Sequence, residues 1–222
     1  MPRTARLVVP GYPHHVTQRG SRKQQTFFCD DDYLQYLALL SQHLADAQAE
    51  IWAYCLMPNH VHLVVVPEEP ESLSRLVSLT HRRYAFRINR RNGWQGHLWQ
   101  ERFHSFVMDE QHLLAAVRYV ELNPVRAGLC AHPALWRWSS VHAHLGGAHD
   151  EIVNVDPMLY RVSDWAEYLL ESADGPTDDS LRDHTASGLP AGSAAFVEAL
   201  EWSTGRRLHR ATRGRKVRTS SS

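Results

Sequence analysis

Residues 51–66, IWAYCLMPNHVHLVVV, restrict the fold of this chain more than any other stretch. Two runs of strand-forming residues flank Pro58-Asn59, a pair with turn chemistry. The stretch reads as a β-hairpin with arms 51–57 and 60–66. A lone hairpin is marginal in water, so further strands and a covering layer are required. The flanking segments supply both. HHVTQRG (14–20) reads as a short strand ending at Gly20. Asp30, Asp31 and Asp32 form a helix start, because short acidic side chains accept from free backbone N–H groups. Tyr33, Leu37, Leu40 and Leu44 then recur at helical spacing and predict a helix over 31–48. Leu73, Leu76, Val77, Thr80, Tyr84 and Ile88 lie along one stripe, which predicts a long amphipathic helix over 72–93, ended by Asn92-Gly93. HLWQERFHSFVMD (97–109) reads as extended, and 110–123 as a helix stopped by Pro124. A Trp-rich turn and a short helix follow over 136–145.

The order strand, helix, strand, strand, helix, strand, helix is that of the split β-α-β arrangement. It predicts an α+β, ferredoxin-like antiparallel sheet covered by helices, with a C-terminal extension that is mostly helical or disordered. Gly146-Gly147 opens that extension. A short helix capped by Ser163 (DWAEYLLES), a linker over 172–192 rich in Gly, Pro, Asp and Ser, and a helix over 193–203 are expected within it. The chain thus divides into a core over 1–145, an acidic extension over 146–205 and a basic tail over 206–222 that reads as disordered when free.

Three cysteines, Cys29, Cys55 and Cys130, lie far apart with no C-x-x-C, which argues against a disulfide framework or a cysteine zinc site. No apolar run has the length of a signal peptide core or a membrane span, so a cytoplasmic protein is expected. The formal net charge of zero conceals a strong asymmetry. Residues 1–149 carry 15 Lys/Arg against 12 Asp/Glu, residues 150–205 carry 2 against 12, and residues 206–222 carry 7 against none. Basic segments are the parts able to meet phosphates.

Three features carry chemistry. His60 and His62, two apart on a strand, point the same way, so both imidazoles can reach one divalent cation. The plain alternative is a pair of ordinary histidines in a chain that holds 15. A zincin would need H-E-x-x-H, which is absent. Val64 stands where a histidine-triad nucleotide site would want a third histidine. Tyr119 and Asn123 are four apart on a helix and share a face. A phenol there can attack a phosphodiester and hold the DNA covalently. An amide oxygen can give a hard cation a third protein ligand. The alternative is a core tyrosine followed by a residue closing its helix. Finally, Arg82, Arg83, Arg87, Arg90, Arg91 and Arg102 are interleaved with Tyr84, Phe86, Trp94, Trp99 and Phe103. Arginines neutralise phosphates and aromatics stack on unpaired bases. The alternative is a solvated helix face above core aromatics.

YPHHVTQRG (12–20), AYCLMPNHVHLVV (53–65), GHLWQERFHS (96–105), YVELNPVRAGL (119–129) and WRWSS (136–140) occur in an order that resembles the single-tyrosine HUH transposases, and within them the REP-associated tyrosine transposases. The resemblance covers about residues 1–145. It implies a ferredoxin-like catalytic domain with His60 and His62 as metal ligands, Asn123 as a third, and Tyr119 as the nucleophile. It also implies Mg²⁺ or Mn²⁺ as cofactor and single-stranded DNA folded into hairpins of repeated extragenic palindromes as partner. A monomer is favoured, as in the REP-associated branch. Gln18 and His104 fall near the site in segments that look like the family's, and Arg83, Arg87 and Arg90 are candidates for gripping backbone phosphates. A hairpin-binding regulator without catalysis and a small metallohydrolase with a structural Tyr119 are the competing readings. The acidic extension reads either as a cover for a basic groove or as a solubilising surface. The tail could add nonspecific DNA affinity.

Overall fold

The computed structural model describes residues 5–146, 149–171 and 178–209. Four strands, β1 (His14–Arg19), β2 (Ala49–Met57), β3 (His60–Pro67) and β4 (His104–Val107), form one sheet in the order β2-β3-β1-β4. Every neighbouring pair is antiparallel. This is the ferredoxin-like α+β architecture expected from the element order. The extended run over 97–109 shortens to the four residues of β4. Its earlier part is a loop that bridges back onto Gly20 through Trp99.

Alternation along the strands divides the interior into two layers. Val16 of β1 and Val61, Leu63 and Val65 of β3 face α1 (Asp30–Ala47) and α2 (Ser72–Asn92). Ala53 and Cys55 of β2, Val64 of β3 and Phe106 of β4 face α3 (Glu110–Arg126). The first layer is closed by stacked aromatics: Phe27 on Tyr33, and Tyr33 on Trp138. Asp30, Asp31 and Asp32 occupy the first turn of α1, as their chemistry requires. The Asp32 carboxylate accepts from the Phe28 amide at 2.8 Å. Gly93 ends α2 in the left-handed region at φ 64°, where a glycine pays no Cβ penalty.

Pro124 does not stop α3, which runs on to Arg126. Proline fits helical φ, although it lacks an N–H and its ring crowds the carbonyl one turn back. The chain recovers the lost turn through Ala127 N–H to Asn123 O at 2.9 Å and Leu129 N–H to Pro124 O at 2.9 Å. Asn123 therefore lies inside the helix, its side chain held by regular backbone on both sides.

The extension is less loose than its composition suggests. It contains α5 (Asp156–Arg161), α6 (Trp165–Leu170), α7 (Asp178–Ser187) and α8 (Ala194–Thr204), after the short α4 (Val141–His144). Helix α7 lies within the stretch read as a linker. Leu181 is buried in the α3 layer with Trp165 and Leu169, and tertiary packing of this kind overrides a poor local pattern. The cap of α6 is Asp164 rather than Ser163: its carboxylate accepts from Glu167 N–H at 2.9 Å. Ser193 caps α8 as its type predicts. The extension also covers an open sheet edge. Ala191 N–H donates to Val107 O at 2.8 Å, and Asp109 N–H to Ala191 O at 3.0 Å. At the other edge, Leu56 N–H donates to Trp138 O and Ser140 N–H to Tyr54 O. Both edges of the sheet are thereby blunted against pairing with another chain. The tail arginines Arg210, Arg213, Arg215 and Arg218 and Lys216, with residues 172–177 of the stretch read as a linker, lie outside the described residues.

Among the described residues no helix is long and apolar enough to cross a membrane.

Candidate metal and tyrosine site

His60 and His62 lie on the α3 face of β3, as their spacing predicts. Their ring centroids are 4.9 Å apart with planes at 80°. Helix α3 crosses above them and brings Tyr119 to His62, with centroids 5.6 Å apart in an edge-on contact. One turn on, Asn123 Nδ2 sits 3.2 Å from His62 Nε2. Its side chain also hydrogen-bonds His60. The four residues selected from the sequence thus converge, although they come from two elements about 60 residues apart.

The imidazoles are prepared by their neighbours. His60 Nδ1 meets Asn59 Oδ1 at 2.6 Å, which fixes the proton on Nδ1 and leaves Nε2 with its lone pair. His62 Nδ1 is 2.9 Å from His15 Nε2, a contact between buried side chains. His15 belongs to β1, where alternation turns it toward α3 while its neighbour His14 turns away. His14 is absorbed structurally: Val9 N–H donates to its Nε2 at 3.1 Å and its Nδ1 meets Tyr12 O at 2.8 Å. Burial pushes His60 down to about 4, with Arg19 acting in the same direction and the Asn123 hydrogen bond opposing both. Burial also pushes His15 down to about 4. His62 falls well below the usual imidazole value, through burial first and then the proximity of His60, His15 and Arg19. At neutral pH all three rings are neutral, which is the form a metal ligand needs.

The donor set fits a divalent cation. The two imidazoles face the Asn123 amide, whose Nδ2 is the atom nearest His62 Nε2, and a flip of that amide would aim its oxygen at the same point. Among the described residues no group of three His, Cys, Asp or Glu is placed to hold a metal ion. Asn123 is the neighbouring side chain that could add a third protein donor.

Next to the pair opens a cavity of about 440 Å³, lined by Thr17, Gln18, Arg19, His62, Gln100, His104, Tyr119, Arg182, Thr185 and Ala186. Gln18 and His104, placed near the site by the sequence, are in this wall. Gln18 is tied down by donating Nε2 to Gln100 O at 2.8 Å. Arg126 lies over the Tyr119 ring at 5.3 Å and donates to the Tyr119 carbonyl at 3.1 Å, steadying the residue from one side.

The arginines of 82–102 are distributed differently. Helix α2 covers the opposite face of the sheet, so Arg82, Arg83, Arg87, Arg90 and Arg91 are separated from the histidine pair by the sheet itself. Arg87 donates to Asp31 at 2.7 Å and Arg91 grips Asp32 with both nitrogens, so these two tie α2 to α1. Arg82 and Arg102 line a second cavity with His81, His97 and Trp99. Helices α5, α6 and α7 pack with the α3 layer. The residues that sequence reasoning missed are His15, Arg19 and Arg182. His15 and Arg19 lay within a quoted motif but had no partner until the register of β1 on β3 was known. Arg182 carries no local signal at all.

A solved REP-associated tyrosine transposase bound to a REP hairpin shares the fold, with a TM-score of 0.57 and 19% identity over 80% of this chain and 98% of that one. A Haemophilus influenzae protein provisionally named a REP-associated tyrosine transposase is 26% identical over 104 residues, or 42% of this chain. That match spans only 59% of the relative's own length. The family model described as "Transposase IS200 like" matches residues 9–123, a stretch that holds β1 through Asn123 and so every residue of the histidine and tyrosine cluster. With more than half of its residues inside that match, the chain belongs to the IS200-like transposase family.

Proposed function

We propose that this protein is a metal-dependent single-stranded DNA nicking and joining enzyme that acts on palindromic hairpins through a tyrosine-linked intermediate. The observation that carries the reading is the convergence of Tyr119 and Asn123 of α3 on His62 of β3, with His60 beside it. A phenol next to two neutral imidazoles and an amide, at the edge of an open cavity, suits attack on a phosphodiester more than it suits core packing.

In this reading the Tyr119 oxygen attacks the scissile phosphorus. The bond from phosphorus to the 3′ oxygen breaks, leaving a 5′-phosphotyrosine and a 3′-hydroxyl. The phenolic proton passes to water and the departing oxygen takes one up. Because the ester keeps the bond energy, a different 3′-hydroxyl can reverse the step and join strands. His60, His62 and Asn123 would hold Mg²⁺ or Mn²⁺, whose contribution when bound is to withdraw charge from the non-bridging oxygens. Asn59 and His15 keep the two imidazoles in the ligating orientation, as outer partners of metal ligands commonly do. Arg82 and Arg102, beside Trp99 in their own cavity, are suited to backbone phosphates and bases of DNA away from the scissile bond. The repeated palindrome is proposed as the substrate because the relatives above are named for it.

The test is incubation with a hairpin oligonucleotide and Mn²⁺, followed by denaturing electrophoresis. A denaturant-resistant protein–DNA species is expected, and Tyr119→Phe and His60→Ala are expected to abolish it. Strand cleavage that survives Tyr119→Phe would exclude this nucleophile. Hairpin binding with no adduct under any metal would favour a regulator without catalysis.

A further inference from the structure

Helix α7 presents one face to the cavity beside Tyr119. Arg182, Thr185 and Ala186, spaced three and four residues apart, all line it. The helix is firmly seated. Leu181 is buried in the α3 layer, and the His184 ring lies 5.6 Å from Phe106 of β4. Arg182 is oriented from its own helix, donating to Asp179 Oδ1 at 2.8 Å. Its other close approach is to the Tyr119 side chain, with which it shares the cavity wall. Those two contacts, Tyr119 first, raise the guanidinium pKa above its ordinary value. Arg126 touches the ring face and the backbone of Tyr119, and Arg19 lies on the histidine side. Arg182 is the cation of the extension that lines the cavity together with Tyr119. It lies well beyond residues 9–123, the part shared with the family model.

We propose that Arg182 is a catalytic residue of the tyrosine step, donating to the Tyr119 oxygen and offsetting the negative charge it carries when it attacks and when it leaves. The inference rests on the assignment of Tyr119 as nucleophile. A guanidinium has donors only, so it cannot act as the base. In cleavage the Tyr119 oxygen bonds to phosphorus, the phosphorus–O3′ bond breaks, and the phenolic proton goes to water. In joining, a 3′-hydroxyl attacks that phosphorus, loses its proton to water, and Tyr119 departs as phenolate facing Arg182. One donor thus serves both directions. An extension otherwise dominated by carboxylates supplies this cation at the one place where the chemistry needs positive charge.

The test compares single-turnover adduct formation at saturating hairpin and Mn²⁺ in the parent, Arg182→Gln, Arg182→Lys and Tyr119→Phe. Loss of a donor aimed at developing charge costs on the order of 10²-fold in rate. Arg182→Gln is expected to slow adduct formation and strand joining by that factor, with hairpin Kd and melting temperature unchanged and partial recovery in Arg182→Lys. A parental rate in Arg182→Gln, or a deficit removed by raising the DNA concentration, overturns the proposal. If Tyr119→Phe still forms the adduct, it is the nucleophile assignment that fails. A readout without DNA covers an inactive preparation. In protein labelled with 3-fluorotyrosine, the fluorine resonance missing from Tyr119→Phe should move in Arg182→Gln and stay in place in Arg161→Gln. An unmoved resonance overturns the contact.

Discussion

His15 Nε2 and His62 Nδ1 stand 2.9 Å apart across two neighbouring strands, and both side chains are buried. For His62 to offer Nε2 to a cation, Nδ1 must carry the proton and donate it to His15. His15 then keeps its own proton on Nδ1, an atom with no hydrogen-bond partner. That N–H lies beside the proposed ligands, and on the proposed reading His15 serves as the outer partner of His62. Outer-shell partners of metal ligands typically govern affinity by 10–100-fold. His15→Ala is therefore expected to weaken Mn²⁺ binding by about that factor in titration calorimetry. His15→Gln, which can still accept through its amide oxygen, should lose less. Equal affinities in all three proteins would remove His15 from the site.

The Asp32–Arg91 pair joins α1 to α2 and gives the fold an acid-sensitive tie. Burial pushes Asp32 up, but hydrogen bonds from Arg91, the Phe28 amide and the Cys29 amide, with the Arg91 charge, bring it below the ordinary carboxylate value. A depressed folded pKa means that the unfolded state takes up the proton first. The pair's contribution is complete above the unfolded value of about 3.9 and is lost as pH falls through the folded value. Asp32→Asn should melt lower than the parent at pH 7, and the gap should narrow below about pH 4. A gap that stays constant down to pH 2 would sink this assignment.

Glu121, two residues after the proposed nucleophile, faces away from the cavity into a closed polar cluster. Its Oε1 accepts from Ser140 Oγ at 2.7 Å and from His144 Nδ1 at 2.6 Å, and its Oε2 accepts from Trp165 Nε1 at 2.8 Å. Glu121→Ala strands the buried His144 and Trp165 donors at about 1–3 kcal/mol each and leaves Ser140 only the Tyr54 carbonyl at 3.3 Å, so a loss of roughly 2 kcal/mol or more in urea unfolding is expected. Trp165→Phe removes one of the three and should cost a fraction of that. Because Trp165 belongs to the extension, both changes should also raise protease sensitivity around 165–190. A Glu121→Ala protein as stable as the parent would contradict the cluster's role.

Gly20 joins β1 to the loop that supports the turn before His60. Its φ of −61° is open to any residue, so the constraint is space. A Cβ there would sit 2.3 Å from the Gln24 carbonyl oxygen and 2.7 Å from Thr26 Cγ2. Gly20 N–H also donates to Asn59 O at 2.8 Å, so a displacement reaches the residue that orients His60. Gly20→Ala is expected to cost about 1–3 kcal/mol, as overpacking does. It should weaken Mn²⁺ binding as well. Unchanged stability would mean that the 20–26 loop yields freely.

Much of this was legible before any coordinates. The hairpin at 51–66, the apolar stripe of α2 and the acidic start of α1 are local patterns, and each appears where its period places it. The departures have local causes as well. Pro124 was read as a stop, yet its φ suits a helix and α3 closes beyond it through Ala127 N–H to Asn123 O and Leu129 N–H to Pro124 O. Helix α7 was read as linker, because its stability comes from burying Leu181 against α3 and not from its own composition. The α2 arginines were read as DNA-binding from their interleaving with aromatics, and the sheet holds them on the face opposite the histidines, a placement no local pattern encodes.

The sequence by itself determined that His60 and His62 share a side of one strand and that Tyr119 and Asn123 share a side of one helix, since both follow from the periods of 2 and 3.6 residues. Only the tertiary structure decided that those two sides meet, that His15 stands behind His62, and that Arg182 of the extension lines the cavity beside Tyr119. The reason is physical. Periodicity relates residues within an element, whereas which faces come together depends on strand register and layer packing over tens to more than a hundred residues of chain, and no local pattern encodes that pairing.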